Sequence, residues 1–190
     1  TMNEAQEDKF HEDALRNARR QHDDAKIMLA NGRYDSATTH AIVALEELGK
    51  SLIAKWNVKN EGSKRVNPNH IEKQSAAFAI LAAHQISTHI PTRRTVTRIT
   101  EGEEARDFNV LGGYCEQFAH ARTGFYENLR MSLTYADKEP IFSKQSLAPH
   151  ITSGLAKEII SYFEDALIAM SNDHAHQIAS SIYKNNLGRW

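Results

Sequence analysis

The sequence predicts an all-α protein, an up-and-down bundle of about five helices, several of them long, with little or no sheet. Three observations carry this. Apolar residues recur at three- and four-residue spacing through five long segments, the period of a helix with one buried face. Residues that stop helices, among them Gly32, Asn67-Pro68, Pro91, Pro140 and Pro149, fall between those segments. Strand-like alternation is confined to Thr95-Val96-Thr97-Arg98-Ile99-Thr100, enough for a short strand or hairpin arm.

The first helix should run from about Asn3 to Asn31, with Asn3 as N-cap and Gly32 as the stop. The second should run from Asp35 or Ser36 to Trp56. Its apolar stripe is Ala37, Ala41, Leu45, Leu48, Leu52 and Trp56, widened by Ile42 and Ile53. A polar loop over 57–69 follows, rich in Lys, Asn and Gly. The third helix begins near Pro68 or Asn69, ends before Pro91 and buries Ile71, Phe78, Leu81 and Ile86. A loop carrying Arg93, Arg94 and Arg98 leads to a fourth helix, from about Glu103 to Tyr135, striped by Phe108, Leu111, Cys115, Phe118, Phe125 and Leu129. The fifth spans about Thr152 to Asn185, and the tail beyond it is expected to fray. A helix of ~30 residues is ~45 Å long, so the first, fourth and fifth helices should protrude, and apolar surface left on them would favour a dimer.

At 190 residues the chain suits one domain, 1–190, with a sizeable core. Its 41% hydrophobic and 25% charged residues place it with globular rather than disordered chains. No apolar run approaches the ~18 residues of a membrane span, and the start is too polar for a secretory signal, so the expected location is cytoplasmic. One cysteine, Cys115, excludes an internal disulfide and fits a reducing compartment. A net charge of −1 excludes bulk electrostatic binding of nucleic acid, so any RNA contact needs a local basic patch.

Several residues break the bland pattern. Arg122 falls on the fourth helix's apolar face between Phe118 and Phe125. A buried guanidinium needs a carboxylate, for which Glu46 and Glu47 are candidates; otherwise the side chain snorkels to the surface. Gly112-Gly113 lies inside the same predicted helix, where each glycine costs ~1 kcal/mol relative to alanine. Close helix approach or a kink would justify it. In Glu46-Glu47-Leu48-Gly49-Lys50, Leu48 faces the core. Glu46 and Lys50 have the spacing of an ordinary intrahelical pair, yet two adjacent carboxylates beside a glycine also suit a polar site between helices. His70 and Lys73 are neighbours at the start of the third helix. If the preceding loop folds back, Glu47, Lys50, His70 and Lys73 converge; if not, His70 is a solvated or capping residue.

Asn17-Ala18, Gly32-Arg33-Tyr34-x-x-Ala37 and Ala44-Leu45-Glu46-Glu47-Leu48-Gly49-Lys50 together resemble the AbiV family of phage abortive-infection proteins. His70-x-x-Lys73 and Arg130-x-Ser132-Leu133-x-Tyr135-x-Asp137 resemble the family's later elements, with Ala136 where the family has Val. The resemblance covers roughly residues 14–160. It implies the HEPN superfamily of helical bundles, many of them dimeric, metal-independent endoribonucleases. It also implies a conditional toxin that blocks translation once a phage-encoded partner activates it, with no cofactor.

The HEPN ribonuclease pattern is Arg, a polar residue, a short gap, then His. Three stretches approach it: Arg16 to His22, Arg33 to His40 and Arg65 to His70. With 12 Arg and 10 His in the chain, random placement would give roughly two such pairs, so position must choose between them. Arg16 and His22 point to different faces of one helix. Arg65 lies in a basic loop, and His70 opens a helix whose N-terminus would favour a phosphate, although Val66 departs from the polar residue after Arg. In the catalytic reading, a ribose 2′-OH attacks the adjacent phosphate. His70 is general base or acid. Arg65, Lys73 or Arg130 stabilises phosphate charge, and Glu47 and Lys50 complete the site. Arg93, Arg94 and Arg98 are either RNA-backbone contacts or a solvated loop. No His, Cys or Asp cluster has convincing zinc spacing. The alternative is a non-catalytic interaction or RNA-binding module in which Glu46, Glu47, Lys50, His70, Arg122 and Arg130 form a polar network.

Overall fold

The computed structural model describes residues 4–56, 68–89, 112–134 and 151–186. Among them are seven helices and no strand. They are α1 (Glu4–Ala30), α2 (Tyr34–Lys55), α3 (His70–His89), α4 (Gly113–Arg122), α5 (Phe125–Thr134), α6 (Ser153–Ala169) and α7 (Asp173–Asn186). The all-α class is as the periodicity predicts, but the count of about five is too low. Arg65, Arg93, Arg94, Arg98, the alternating stretch 95–100 and the caps at Asn3 and Pro91 lie outside the described residues.

Helix ends follow local chemistry. Gly32, at φ 70°, ends α1, and the Gly32 and Arg33 N–H groups donate to Leu29 and Met28 carbonyls. Asn69 and Glu72 form a capping box on α3: Asn69 Oδ1 accepts from Glu72 N at 2.9 Å, and Glu72 Oε2 accepts from Asn69 N at 2.8 Å. The expected long fourth helix has a break at Thr123-Gly124, where Gly124 takes φ 78°. Gly112-Gly113 is a helix start rather than a helix interior. Both glycines have positive φ, and Gln85 of α3 accepts from Tyr114 N at 2.7 Å to close the first turn of α4. The expected fifth helix divides at Ser171-Asn172, because Asn172 Oδ1 accepts from Ala175 N and starts α7.

The two central helices are α2 and α3. α2 packs against α1, α3, α5 and α6, and α3 packs against α4, α5, α6 and α7 as well. This follows from sequence: residues 74–83 of α3 are small or apolar nearly all round, and every one is buried. α2 and α3 approach closely at Gly49, since a Cβ there would lie 1.8 Å from the Lys73 carbonyl oxygen. The core includes Leu45, Leu48, Phe78, Leu81, Phe118 and Phe163. Among the described residues no helix is long and apolar enough to cross a membrane.

Candidate functional site

The site forms where the middle of α2 meets the first turns of α3 and the first two turns of α5. Glu46 projects from α2 and is only 5% exposed. A buried carboxylate must be paired or hydrogen-bonded, and Glu46 is both. Its Oε2 accepts from His70 Nδ1 at 2.7 Å. Its Oε1 accepts from Gln74 Nε2 at 2.8 Å and lies 3.2 Å from Arg130 Nε. Arg130 also grips Glu127, with Nε to Oε2 at 2.9 Å and Nη2 to Oε1 at 2.8 Å. The guanidinium is thus held between two carboxylates, the geometry in which arginine outperforms lysine. His70 and Gln74 are one helical turn apart on α3, as Glu127 and Arg130 are on α5, so each helix presents two partners on one face.

The Glu46 carboxylate fixes the histidine tautomer. Accepting from Nδ1 means that Nδ1 carries hydrogen, leaving Nε2 of the neutral ring with a free lone pair. The His70 side chain is 49% exposed. An oriented imidazole at the surface, backed by a buried carboxylate, can transfer a proton to or from a bound substrate.

The predicted site residues divide. His70 and Arg130 meet on Glu46. Glu47 and Lys50 do not join them: Lys50 Nζ donates to Glu47 Oε2 at 3.2 Å and stands 5.2 Å from the Phe10 ring of α1. The expected Glu46–Lys50 pair is therefore a Glu47–Lys50 pair. Lys73 contributes its backbone to the Gly49 contact, and its side chain is half-buried. Arg65 lies outside the described residues. Nor is the start of α3 open to an outside anion, since the Glu72 carboxylate already occupies it. The arginine that reaches Glu46 is Arg130 rather than Arg122; the Arg122 guanidinium stacks 5.8 Å from the Phe118 ring. Gln74 and Glu127 were not singled out by sequence. Their only signal was helical spacing from His70 and Arg130.

Other histidines serve the fold. Arg16 is exposed and paired with Asp13, whereas His22 is buried and stacked on Phe163 at 4.6 Å, so that Arg/His candidate is split across two faces. Arg33 bonds Ser36, and His40 turns to Gln21 of α1 at 2.8 Å. His176 is held as one neutral tautomer: Trp56 Nε1 donates to Nδ1 at 3.2 Å, and Nε2 donates to the Met170 carbonyl at 2.9 Å. Ser51 meets His11 Nδ1 at 2.7 Å but is fully buried, which rules it out as a nucleophile. Burial pushes the Cys115 thiol up to about 12, so it is inert.

Burial lowers the pKa of both His22 and His176. For His176 the Lys55 ammonium adds to this; for His22 the Glu164 carboxylate partly opposes it. Their neutral forms belong to the fold. Above the ordinary value of 6.5 both are neutral whether folded or unfolded, and stability is complete. Below it the unfolded chain takes up protons first, so stability falls until the lowered folded-state values are passed. Thermal melts from pH 7.5 to 5.0 should show Tm dropping below about pH 6.5, with a shallower drop in His176→Gln. Parallel slopes for wild type and variant would refute the assignment.

The family model HEPN_AbiV, described as AbiV, matches residues 7–137. The match runs from the first turn of α1 through α5 and includes all five residues of the Glu46–His70–Gln74–Glu127–Arg130 network. α6 and α7 lie beyond it but pack against α2 and α3. No curated protein and no solved structure matches the chain.

Proposed function

This chain belongs to the AbiV family of HEPN proteins, as the match over residues 7–137 shows, and from that premise we propose that it is an abortive-infection effector that acts on RNA through His70. The observation that carries the reading is the half-exposed imidazole held by a buried carboxylate, itself held by Arg130. In this mechanism His70 Nε2 takes the proton of a ribose 2′-OH as that oxygen attacks the adjacent phosphorus. The P–O5′ bond breaks, the departing O5′ takes a proton from solvent water, and the His70 imidazolium returns its proton to solvent. The products are a 2′,3′-cyclic phosphate and a free 5′-hydroxyl. Lys73, one turn from His70, offsets charge on the phosphate oxygens. Arg130, engaged by two carboxylates, positions Glu46 rather than the substrate. The chemistry needs no metal. Cleavage of translation-machinery RNA, after activation by a phage-encoded partner, would halt protein synthesis. A homodimer is part of the proposal, and the exposed Ile27, Phe125 and Ile168 side chains give apolar surface for it to cover.

The test is incubation of purified protein with total RNA and tRNA in EDTA, with and without the phage activator, beside His70→Ala. Cleavage should fall by about 100-fold or more in the variant, the usual contribution of a general acid or base. Equal cleavage by the variant would remove His70 from the mechanism. The saturation of Arg130 by Glu46 and Glu127 favours a second reading, in which the network is purely structural and the protein binds RNA or a partner without cutting. Salt-sensitive RNA binding with no cleavage under any condition would select it.

A further inference from the structure

We propose that Glu46, His70 and Glu127 form a binding site for one divalent transition-metal ion of the zinc class, which would take the place of the proton between His70 and Glu46. The donor atoms of these side chains come from three helices and lie within 4.8 Å of one another. One imidazole nitrogen with two carboxylates is a zinc-type donor set, whereas calcium and magnesium prefer oxygen alone. The scaffold is already assembled. Glu46 and Glu127 are both pinned by Arg130, and the half-exposed His70 leaves a route from solvent. Two zinc ligands at about 2.0 Å stand roughly 3.3 Å apart in a tetrahedral set. The 2.7 Å contact between His70 and Glu46 would therefore open by only about half an ångström.

An independent observation points the same way. Gln74 is fully buried, yet only its nitrogen is used; Oε1 has no hydrogen-bond partner among the described residues. A buried acceptor left unpaired is costly. Turning the amide over about its last bond would put that oxygen beside the Glu46 carboxylate, where it would become a fourth donor to the ion. Arg130 sets the limit on affinity. It offsets part of the charge of both carboxylates without metal, and a second cation beside it is repelled. Each carboxylate has about four lone-pair positions, so the ion can use those that Arg130 leaves open.

Metal binding stands independently of RNA cleavage, but one consequence rests on the nuclease reading. An ion on Nδ1 would pull the imidazole from its hydrogen-bonded orientation and withdraw basicity from Nε2, so the ion would inhibit. Calorimetric titration of tag-free protein with zinc chloride at pH 7.5 should show one ion per chain. Affinity should fall at least about tenfold in His70→Ala and in Glu127→Gln, because each loses one ligand. It should be unchanged in His174→Ala, an exposed histidine outside the site. No saturable binding, unchanged affinity in either site variant, or loss in His174→Ala would overturn the site. Cleavage unaffected by bound zinc would overturn only the inhibition, and absence of cleavage in EDTA would count against the nuclease reading alone.

Discussion

Gly49→Ala is expected to destabilise the protein by about 3 kcal/mol or more, at the upper end of what overpacking costs. The added Cβ would stand 1.8 Å from the Lys73 carbonyl oxygen, 2.7 Å from its carbon and 3.2 Å from Ala77 N. These are backbone atoms of α3, a buried helix, so no side-chain rotation relieves the clash and the two helices must separate. Separation would strain the Glu46 contacts with His70 and Gln74, which lie one turn away along α2. The sign is diagnostic, because intrinsic helix propensity alone favours alanine over glycine by ~1 kcal/mol. Urea unfolding gives the measurement, with the midpoint read at constant m-value. Gly154→Ala on α6 is the matched control: its Cβ would meet only Thr152 Oγ1, at 3.5 Å. That substitution should be neutral or stabilising by up to ~1 kcal/mol. A wild-type midpoint for Gly49→Ala would remove the close approach of α2 and α3 from the fold.

The same glycine shows how far sequence carried the structure. Its place beside two carboxylates suggested a polar site between helices, and the boundaries of α2, Tyr34 to Lys55, lie within two residues of those expected. The breaks inside the long fourth and fifth helices were harder to see. The apolar stripe continues through Phe118, Phe125 and Leu129 whether or not the chain turns at Gly124, so periodicity is blind to the turn. The same holds for Asn172, a cap whose signal is one residue long. Within the site, the choice between Glu46 and Glu47 is a matter of 100° of helix rotation. It depends on which side of α2 the third helix covers, a long-range fact that no local pattern states. Arg122 and Arg130 are eight residues apart with the Gly124 break between them. Because the break reorients α5 relative to α4, a straight-helix reading offers Glu46 as a candidate partner of Arg122, whereas Arg130 is the arginine that reaches it.

Glu46→Ala should cost about 3–5 kcal/mol, the usual penalty for removing one member of a buried ion pair. Arg130, whose side chain is 13% exposed, would keep Glu127 but lose its carboxylate partner on α2. Gln74, fully buried, would lose the one bond its amide makes. Glu46→Gln preserves volume and one acceptor oxygen but turns an NH2 group toward His70 or Arg130, both donors, so about 1–3 kcal/mol is expected. The adjacent Glu47→Ala should cost no more than ~0.5 kcal/mol, because it removes only a partly exposed pair with Lys50 on the same helix. Equal midpoints for Glu46→Ala and Glu47→Ala would refute the geometry outright. Activity adds a second axis. In the proposed mechanism Glu46 touches no substrate and acts by holding His70. Glu46→Gln, assayed where it is fully folded, should therefore lower kcat for RNA cleavage with KM little changed and should flatten the pH profile that His70 produces. If the variant lost stability while keeping wild-type kcat and pH profile, the Glu46 network would be a structural bolt between α2, α3 and α5. The chemistry would then have to lie elsewhere on the bundle.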